Sequence, residues 1–446
     1  MATQQPLVFG KALKEQFHFD PEWRNLNHGS FGATPRAIKE KQIDHQLQSE
    51  AAPDRYLRYD YPKVLDASRA ALAKHVNAPV DSIVLVTNAT TAVNVVFQNM
   101  QWSSDGTDEI LSFSTIYGAC GKIIDYVTDT NRLVSSRVID LKYPLEDEEI
   151  INLFREAVAS SRAQGKNPRI VVFDIVSSMP GVRFPYEDMT KTCRELGVLS
   201  LIDGAQGVGM VPLDLAALDA DFVLSNCHKW LFTPRGCAFL YVPQRHQPWI
   251  TTTLPTSHGY VPKKNTGRNN PLPREKDKTA FVENFQFVGS IDNSAYASVA
   301  DSLQWRAEAL GGELRIMEYL WQLAKEGGSR AAEILGTRVL ENAKGTLTNC
   351  AMVNVWLPVR SADVNQVMSG PDGIVLPKDE SLEAIQWASK VLVDEYKTFI
   401  ALGIHGDRWL MRLSAQVYLE AEDFEWAAYK MKEVVERVAK REYSQQ

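Results

Sequence analysis

Apolar positions along this chain recur at two spacings. Residues 65–75 carry Leu and Ala at helical period and predict an amphipathic helix. Residues 81–87 (DSIVLVT) predict a short strand that ends in the polar stretch Asn88-Ala89-Thr90-Thr91, and AVNVVFQNM resumes the helical period at once. The alternation repeats at 109–113, followed by a helix from about Gly118, and at 169–176, followed by a helix over Tyr186–Leu196. Further strands are predicted at Leu199–Asp203, 221–224 and 237–242. Short apolar strands separated by helices predict an α/β fold with a mostly parallel sheet covered on both faces. A sheet of that kind takes its ligands at the carboxyl ends of its strands.

The pattern changes near residue 250. Residues 251–278 are rich in Pro, Asn, Lys, Arg and Thr and carry no period, which predicts a functional loop. A long helix is predicted from about Asn293, and a second α/β region follows. It has helices at 317–336, 382–399 and 423–441, strands at 350–357 and 409–413, and a frayed tail at 442–446. The expected organisation is an N-terminal segment, 1–35, packing with the small domain, then a large domain at 36–300 and a smaller C-terminal domain at 301–446.

Composition narrows the function classes. The chain has 446 residues, of which 45% are hydrophobic and 23% charged, enough to build a sizeable core. A net charge of −7 lacks the basic bias of a nucleic-acid binder. No apolar run approaches the roughly 20 residues of a membrane span, and the first residues do not read as a secretory signal. Five cysteines without metal spacing predict reduced thiols, no metal site and a cytoplasmic setting.

Three features fall at predicted strand ends. Asp203 closes LSLID and is followed by Gly204-Ala205-Gln206-Gly207, leaving room for a flat ligand, although an acid there also serves as a helix cap. Lys229 follows DFVLSNCH; a lysine desolvated at the top of a sheet loses proton affinity and becomes a Schiff-base former, whereas most lysines snorkel to the surface. Asn88-Ala89-Thr90-Thr91 opens a helix, where free amides cradle phosphate or an ordinary Thr cap sits. A phosphate cup, then an acid, then a lysine along one sheet suits pyridoxal 5'-phosphate, with the acid on the pyridine nitrogen.

Six motifs carry a family resemblance: NHGSFG (27–32), TNATTAVN (87–94), DGAQGVG (203–209), SNCHKWLFTPRG (225–236), FVGSIDNSAY (287–296) and RLSAQVY (412–418). Through them the chain resembles the class V aminotransferase group of fold-type I pyridoxal-phosphate enzymes. The resemblance implies that Lys229 forms the Schiff base, Asp203 pairs with the pyridine nitrogen and Gln206 touches the ring hydroxyl. It assigns Ala89, Thr90, Asn226 and His228 to the phosphate. Ser290 would reach that phosphate from a second subunit, implying a homodimer with shared active sites. Arg412 would clamp the α-carboxylate of a small amino-acid substrate, with Asn27, Ser30 and Arg58 on the substrate side. Ser178 stands where relatives often place Asn around a cofactor oxygen. Tyr117 stands where the desulfurases of the group place His, able to stack on the cofactor and deliver a proton. After Cys237 the chain has only Cys350, in an apolar strand pattern, so a persulfide route is not expected.

DRYLRYDYP, STIYGACGK, LPTSHGYVP and LSAQVYLE narrow the likeness to the isopenicillin-N-epimerase-like branch, and within it to the fungal hercynylcysteine sulfoxide lyases of ergothioneine biosynthesis. That likeness implies a carbon–sulfur β-lyase, with Tyr117 as general acid and a sulfenic acid, pyruvate and ammonia as products. A trimethylated histidine in the substrate would favour aromatic walls, for which Tyr56, Tyr59, Tyr61 and Trp249 are available. Arg55 and Arg58 would meet a second carboxylate. Two other readings stay open: a transaminase, epimerase or decarboxylative carbon–carbon-forming enzyme of alkaloid pathways on the same scaffold, and a non-catalytic binding module of this fold.

Overall fold

A computed structural model describes residues 5–445 apart from 265, 274–276, 371 and 372. Parts of the 251–278 loop, the first four residues of the N-terminal segment and the last residue of the tail therefore lie outside the described residues. Among the described residues, twelve strands form two sheets. The first holds β1 (Ile83–Val86), β2 (Asp108–Phe113), β3 (Val134–Ile139), β4 (Asn167–Asp174), β5 (Leu199–Asp203), β6 (Phe222–Asn226) and β7 (Ala238–Tyr241) in the order β1-β7-β6-β5-β4-β2-β3. Only β7 opposes its neighbours, so the carboxyl ends of β1 to β6 share one edge. The second holds β8 (Met352–Ala362), β9 (Met368–Gly370), β10 (Gly373–Pro377), β11 (Ala401–His405) and β12 (Arg408–Ser414) in the order β11-β12-β8-β10-β9.

The continuous apolar runs of the first sheet follow from its two covered faces. Side chains alternate across a strand, so Ile170, Val172, Leu201 and Leu224 enter one core with the helices Ala89–Asn99 and Gly118–Thr130. Val171, Phe173, Ile202 and Val223 enter the other. Elements with weaker periodicity were not legible in the sequence. Strand β3 is buried only at its two ends, and the helix Arg36–Ala51 buries only Ile38 and Gln42. The helix predicted from Asn293 is two helices, Ser294–Ala297 and Val299–Glu308. The expected frayed tail instead makes a 3-10 turn over Glu442–Gln445, with Tyr443 buried.

The N-terminal segment runs between the two sheets. Gly10 N donates to Val417 O at 2.8 Å, and Ser414 N donates to Leu26 O at 2.9 Å. On the other side, the short helix His28–Phe31 meets the turn after β6, where the His28 ring donates to Lys229 O at 2.7 Å. Gly32 makes this approach possible. It has φ +64°, and a Cβ there would overlap the His228 carbonyl oxygen. Backbone strain and overlap act together at this position, so Gly32→Ala is expected to destabilise the fold by about 3 kcal/mol or more. A thermal melt within a degree or two of the parent would contradict that.

Candidate active site

Three polar side chains reach one spot because of strand geometry. Asp174, Asp203 and Asn226 are the last residues of β4, β5 and β6. Each lies two positions beyond a residue of the same core face, namely Val172, Leu201 and Leu224, so all three point to that face. They line a cavity of about 170 Å³ together with Ser30, Phe31, Asn88, Ala89, Thr90, Tyr117, Val176, Ser178, Ala205, Gln206, His228 and Lys229. The cavity thus opens at the carboxyl edge of the sheet.

Lys229 sits in a single helical turn after β6. Burial and then the charge of Arg412 lower its amine to about 8, against the pull of Asp203 and Asp174. The turn is held from beneath. His28 Nε2 donates to Lys229 O, and its Nδ1 faces the Tyr418 hydroxyl at 3.0 Å. Burial drops the His28 ring to about 3, so it is a neutral strut. Arg306 adds a bond from Nη1 to Trp230 O at 2.6 Å and is itself paired with Glu313 at 2.5 Å. His228 is fixed by Nδ1 donating to Cys237 O at 2.9 Å, and burial lowers it to about 4.

The helix Ala89–Asn99 points its N-terminus at the cavity, the arrangement that favours an anion. Asn88 caps it, with Oδ1 accepting from Thr91 N at 2.8 Å. Asn226 Oδ1 accepts from Ala89 N at 2.9 Å, tying the helix to the end of β6. Asp203 is anchored by Ala205 N at 2.9 Å and the Cys120 thiol at 3.3 Å. Gln206 lines the cavity with its amide engaged: Oε1 accepts from Trp230 Nε1 at 2.7 Å, and Nε2 donates to Gly29 O at 2.5 Å.

Arg412, on β12, brings the second sheet to the site. It is buried and donates to Ser178 O at 2.5 Å, Asn27 Oδ1 at 2.6 Å and Ser30 Oγ at 3.1 Å. Its Nε has no hydrogen-bond partner, and among the described residues no carboxylate pairs with it. Burial lowers it to about 10. A desolvated cation without a counter-ion is costly to keep, and it suits a carboxylate brought by a ligand.

A family model described as aminotransferase class-V matches residues 57–259. The L-cysteine desulfhydrase-like protein lolT2 of Epichloe uncinata is 36% identical, over 99% of this chain and 97% of its own length. Hercynylcysteine sulfoxide lyase of Schizosaccharomyces pombe is 30% identical, over 96% of this chain and 98% of its own. The chain belongs to the class V aminotransferase family. A solved structure of a C-DES mutant with glycine covalently linked to its PLP cofactor shares the fold, with TM-score 0.69 and 17% identity over 95% of this chain and 98% of its own. The fold is that of the fold-type I enzymes, and the protein is an enzyme with pyridoxal 5'-phosphate as its cofactor.

The donor set at the cavity fits that cofactor. A desolvated amine (Lys229), a carboxylate anchored by two donors (Asp203) and a helix N-terminus (Asn88, Ala89, Thr90) match an aldehyde, a pyridine nitrogen and a phosphate. The structure brings together Ala89, Thr90, Tyr117, Ser178, Asp203, Gln206, Asn226, His228, Lys229 and Ser30 on the cavity wall, with Asn27 and Arg412 directly behind it. Tyr117 is 49% exposed at the mouth.

Other expected residues lie elsewhere in this chain. Ser290 is exposed and off the cavity wall. Arg58 bonds Asp54 Oδ1 at 3.1 Å and Pro271 O at 3.2 Å, and Arg55 pairs with Asp60. The expected aromatic wall is also different. Tyr61 lines a separate cavity of about 290 Å³, and Trp249 packs on His246 at 4.5 Å between ring centroids. Neither Tyr56 nor Tyr59 is part of the wall. Tyr56 and Tyr61 are buried in the core and Tyr59 is exposed to solvent, and Phe31 and Tyr117 provide the aromatic surface instead. Sequence reasoning missed Phe31, although it lies within NHGSFG, and it missed Asp174, whose place depends on strand register.

Cys350 is buried just before β8, its thiol pushed up to about 11 by burial and bonded to Met352 O at 3.3 Å. Among the described residues no helix is long and apolar enough to cross a membrane.

Proposed function

We propose that this class V enzyme is a carbon–sulfur β-lyase acting on hercynylcysteine sulfoxide, a cysteine sulfoxide conjugate of a trimethylated histidine. Its products would be a sulfenic acid leading to ergothioneine, pyruvate and ammonia. The observation that carries this reading is the pairing of a desolvated Lys229 with a buried, counter-ion-free Arg412 beneath an aromatic mouth. When bound, the cofactor supplies the electron sink that acidifies the substrate's α-carbon and lets a β-substituent depart. Arg412 holds the substrate α-carboxylate, and Asn27, Ser30 and Ser178 keep its fork oriented. Lys229 Nζ takes the α-proton, because burial leaves it an amine able to shed its own proton near neutral pH. The Tyr117 hydroxyl donates a proton to the departing sulfur group. The quaternary ammonium rests against the faces of Phe31 and Tyr117.

Ala89, Thr90, Asn226 and His228 hold the cofactor phosphate in this reading, and Gln206 lies beside the ring. The enzyme works as a homodimer, in which Ser290 of each chain serves the other's cavity. Residues 36–300 and 301–446 form the large and small domains, with 1–35 joining the small one. Similarity over nearly the full length to the Schizosaccharomyces pombe lyase supports this reading.

A second reading, release of sulfide from free cysteine, is favoured by the higher identity to lolT2 and that protein's description as desulfhydrase-like. The sulfur product separates the two. The holoenzyme is expected to act on hercynylcysteine sulfoxide at least about tenfold better in kcat/KM than on cysteine, with little sulfide released. Sulfide from cysteine at equal or higher efficiency would favour the second reading.

A further inference from the structure

The end of β4 carries an acid for which the cofactor roles above have no use. Asp174 is 7% exposed and lines the Lys229 cavity. It lies in register with Asp203 on the adjoining parallel strand, which sets their backbones about 5 Å apart. Strand alternation turns both side chains to the same face, so the two carboxyls sit side by side at the floor of one cavity.

Their hydrogen bonding differs. Asp203 accepts from the Ala205 amide through Oδ1 and from the Cys120 thiol through Oδ2. The Asp174 carboxyl has no hydrogen bond or ion pair with any described residue. Donors stabilise an ionised carboxylate, and a buried carboxyl without donors keeps its proton. Two carboxylates ionised at this separation repel, so a pair like this favours one proton between them.

We propose that Asp174 and Asp203 share a single proton resident on Asp174, and that neutral Asp174 is a positioning residue that keeps Asp203 the sole anion offered to the cofactor. The groups facing Asp174 agree with this assignment. They are Asp203 from β5, Lys229 from the turn after β6, Cys120 from the helix Gly118–Thr130, and Tyr143 from the segment after β3. Cys120 and Tyr143 are pushed up by burial and stay neutral. Lys229 is then the one cation among these four, and only the field of its charge reaches Asp174. Burial and the charge of Asp203 push the Asp174 carboxyl well above the usual range. A second anion here would raise the proton affinity of Lys229. A neutral Asp174 therefore leaves that amine free to act near neutral pH. The inference rests on the cofactor site and not on which substrate is turned over, so a failed lyase assay leaves it standing.

Infrared difference spectroscopy of the holoenzyme tests it directly. Wild type minus Asp174→Asn at neutral pH is expected to show the carbonyl band of a protonated carboxyl, shifted in heavy water. Carboxylate bands in that difference spectrum, or no carboxyl band, would overturn the proposal. If Asp174→Asn does not fold, isotope-labelled aspartate in the wild-type holoenzyme gives the same reading. A protonated aspartate band near neutral pH then supports the pair, and its absence refutes it.

Discussion

Replacing Lys229 with alanine is expected to abolish turnover, lowering kcat by about 10⁴-fold or more, because one side chain supplies both the covalent attachment point and the proton transfer. The visible absorption that the cofactor gives in the parent enzyme should disappear with it. The fold should persist, since the contacts that brace this turn reach the backbone: the His28 ring bonds Lys229 O, and Arg306 bonds Trp230 O. A well-folded Lys229→Ala protein that keeps the absorption band or turns over substrate would refute the assignment. Loss of fold would point to a structural role that the buried, unpaired amine gives no reason to expect.

The second large effect is at Arg412. Arg412→Gln keeps polar contact with Asn27 and Ser30 but removes the charge and the planar fork. Losing one charged, bidentate contact to a carboxylate costs about 3 kcal/mol, or roughly 10²-fold in kcat/KM, with most of the loss in KM. Arg412→Lys should recover only part of it, because an ammonium is a point charge and cannot reproduce the fork. A loss confined to kcat with unchanged KM would contradict a carboxylate-binding role. Substrates whose α-carboxylate is amidated should be insensitive to both substitutions.

Much of this site is legible in sequence because local signals and strand ends coincide. Asp203 and Asn226 each end a strand, and Lys229 stands three residues beyond Asn226; strand alternation then fixes which face the first two take. The helix after β1 is capped by Asn88 and not by a threonine of the same stretch. Asp174 lies inside the apolar run predicted at 169–176, and its importance comes from lying opposite Asp203; the register between two strands is not written in either one. The aromatic wall fails for a related reason. Tyr56 and Tyr61 sit in a segment rich in aromatic residues, and burial against neighbouring helices takes them out of reach. Phe31 is 70% exposed and belongs to a four-residue helix, so no period marks it as part of a wall.

Strands β9 to β11 were invisible for a different reason. They are short or only partly buried, and each is defined by its pairing: β10 with β8, β9 with β10 and β11 with β12. The second sheet still matters to function, because β12 delivers Arg412 to a cavity built almost wholly by the first sheet and the segment His28–Phe31. The two sheets meet at the guanidinium through Ser178 on one side and Asn27 with Ser30 on the other.

The most direct test of β-elimination is the release of pyruvate and ammonia from hercynylcysteine sulfoxide by the purified holoenzyme. The account predicts that both appear together, in equal amounts, for each substrate consumed, and that Lys229→Ala releases neither. Consumption of substrate with carbon dioxide, an epimerised amino acid or a transamination product, and without pyruvate, would contradict it.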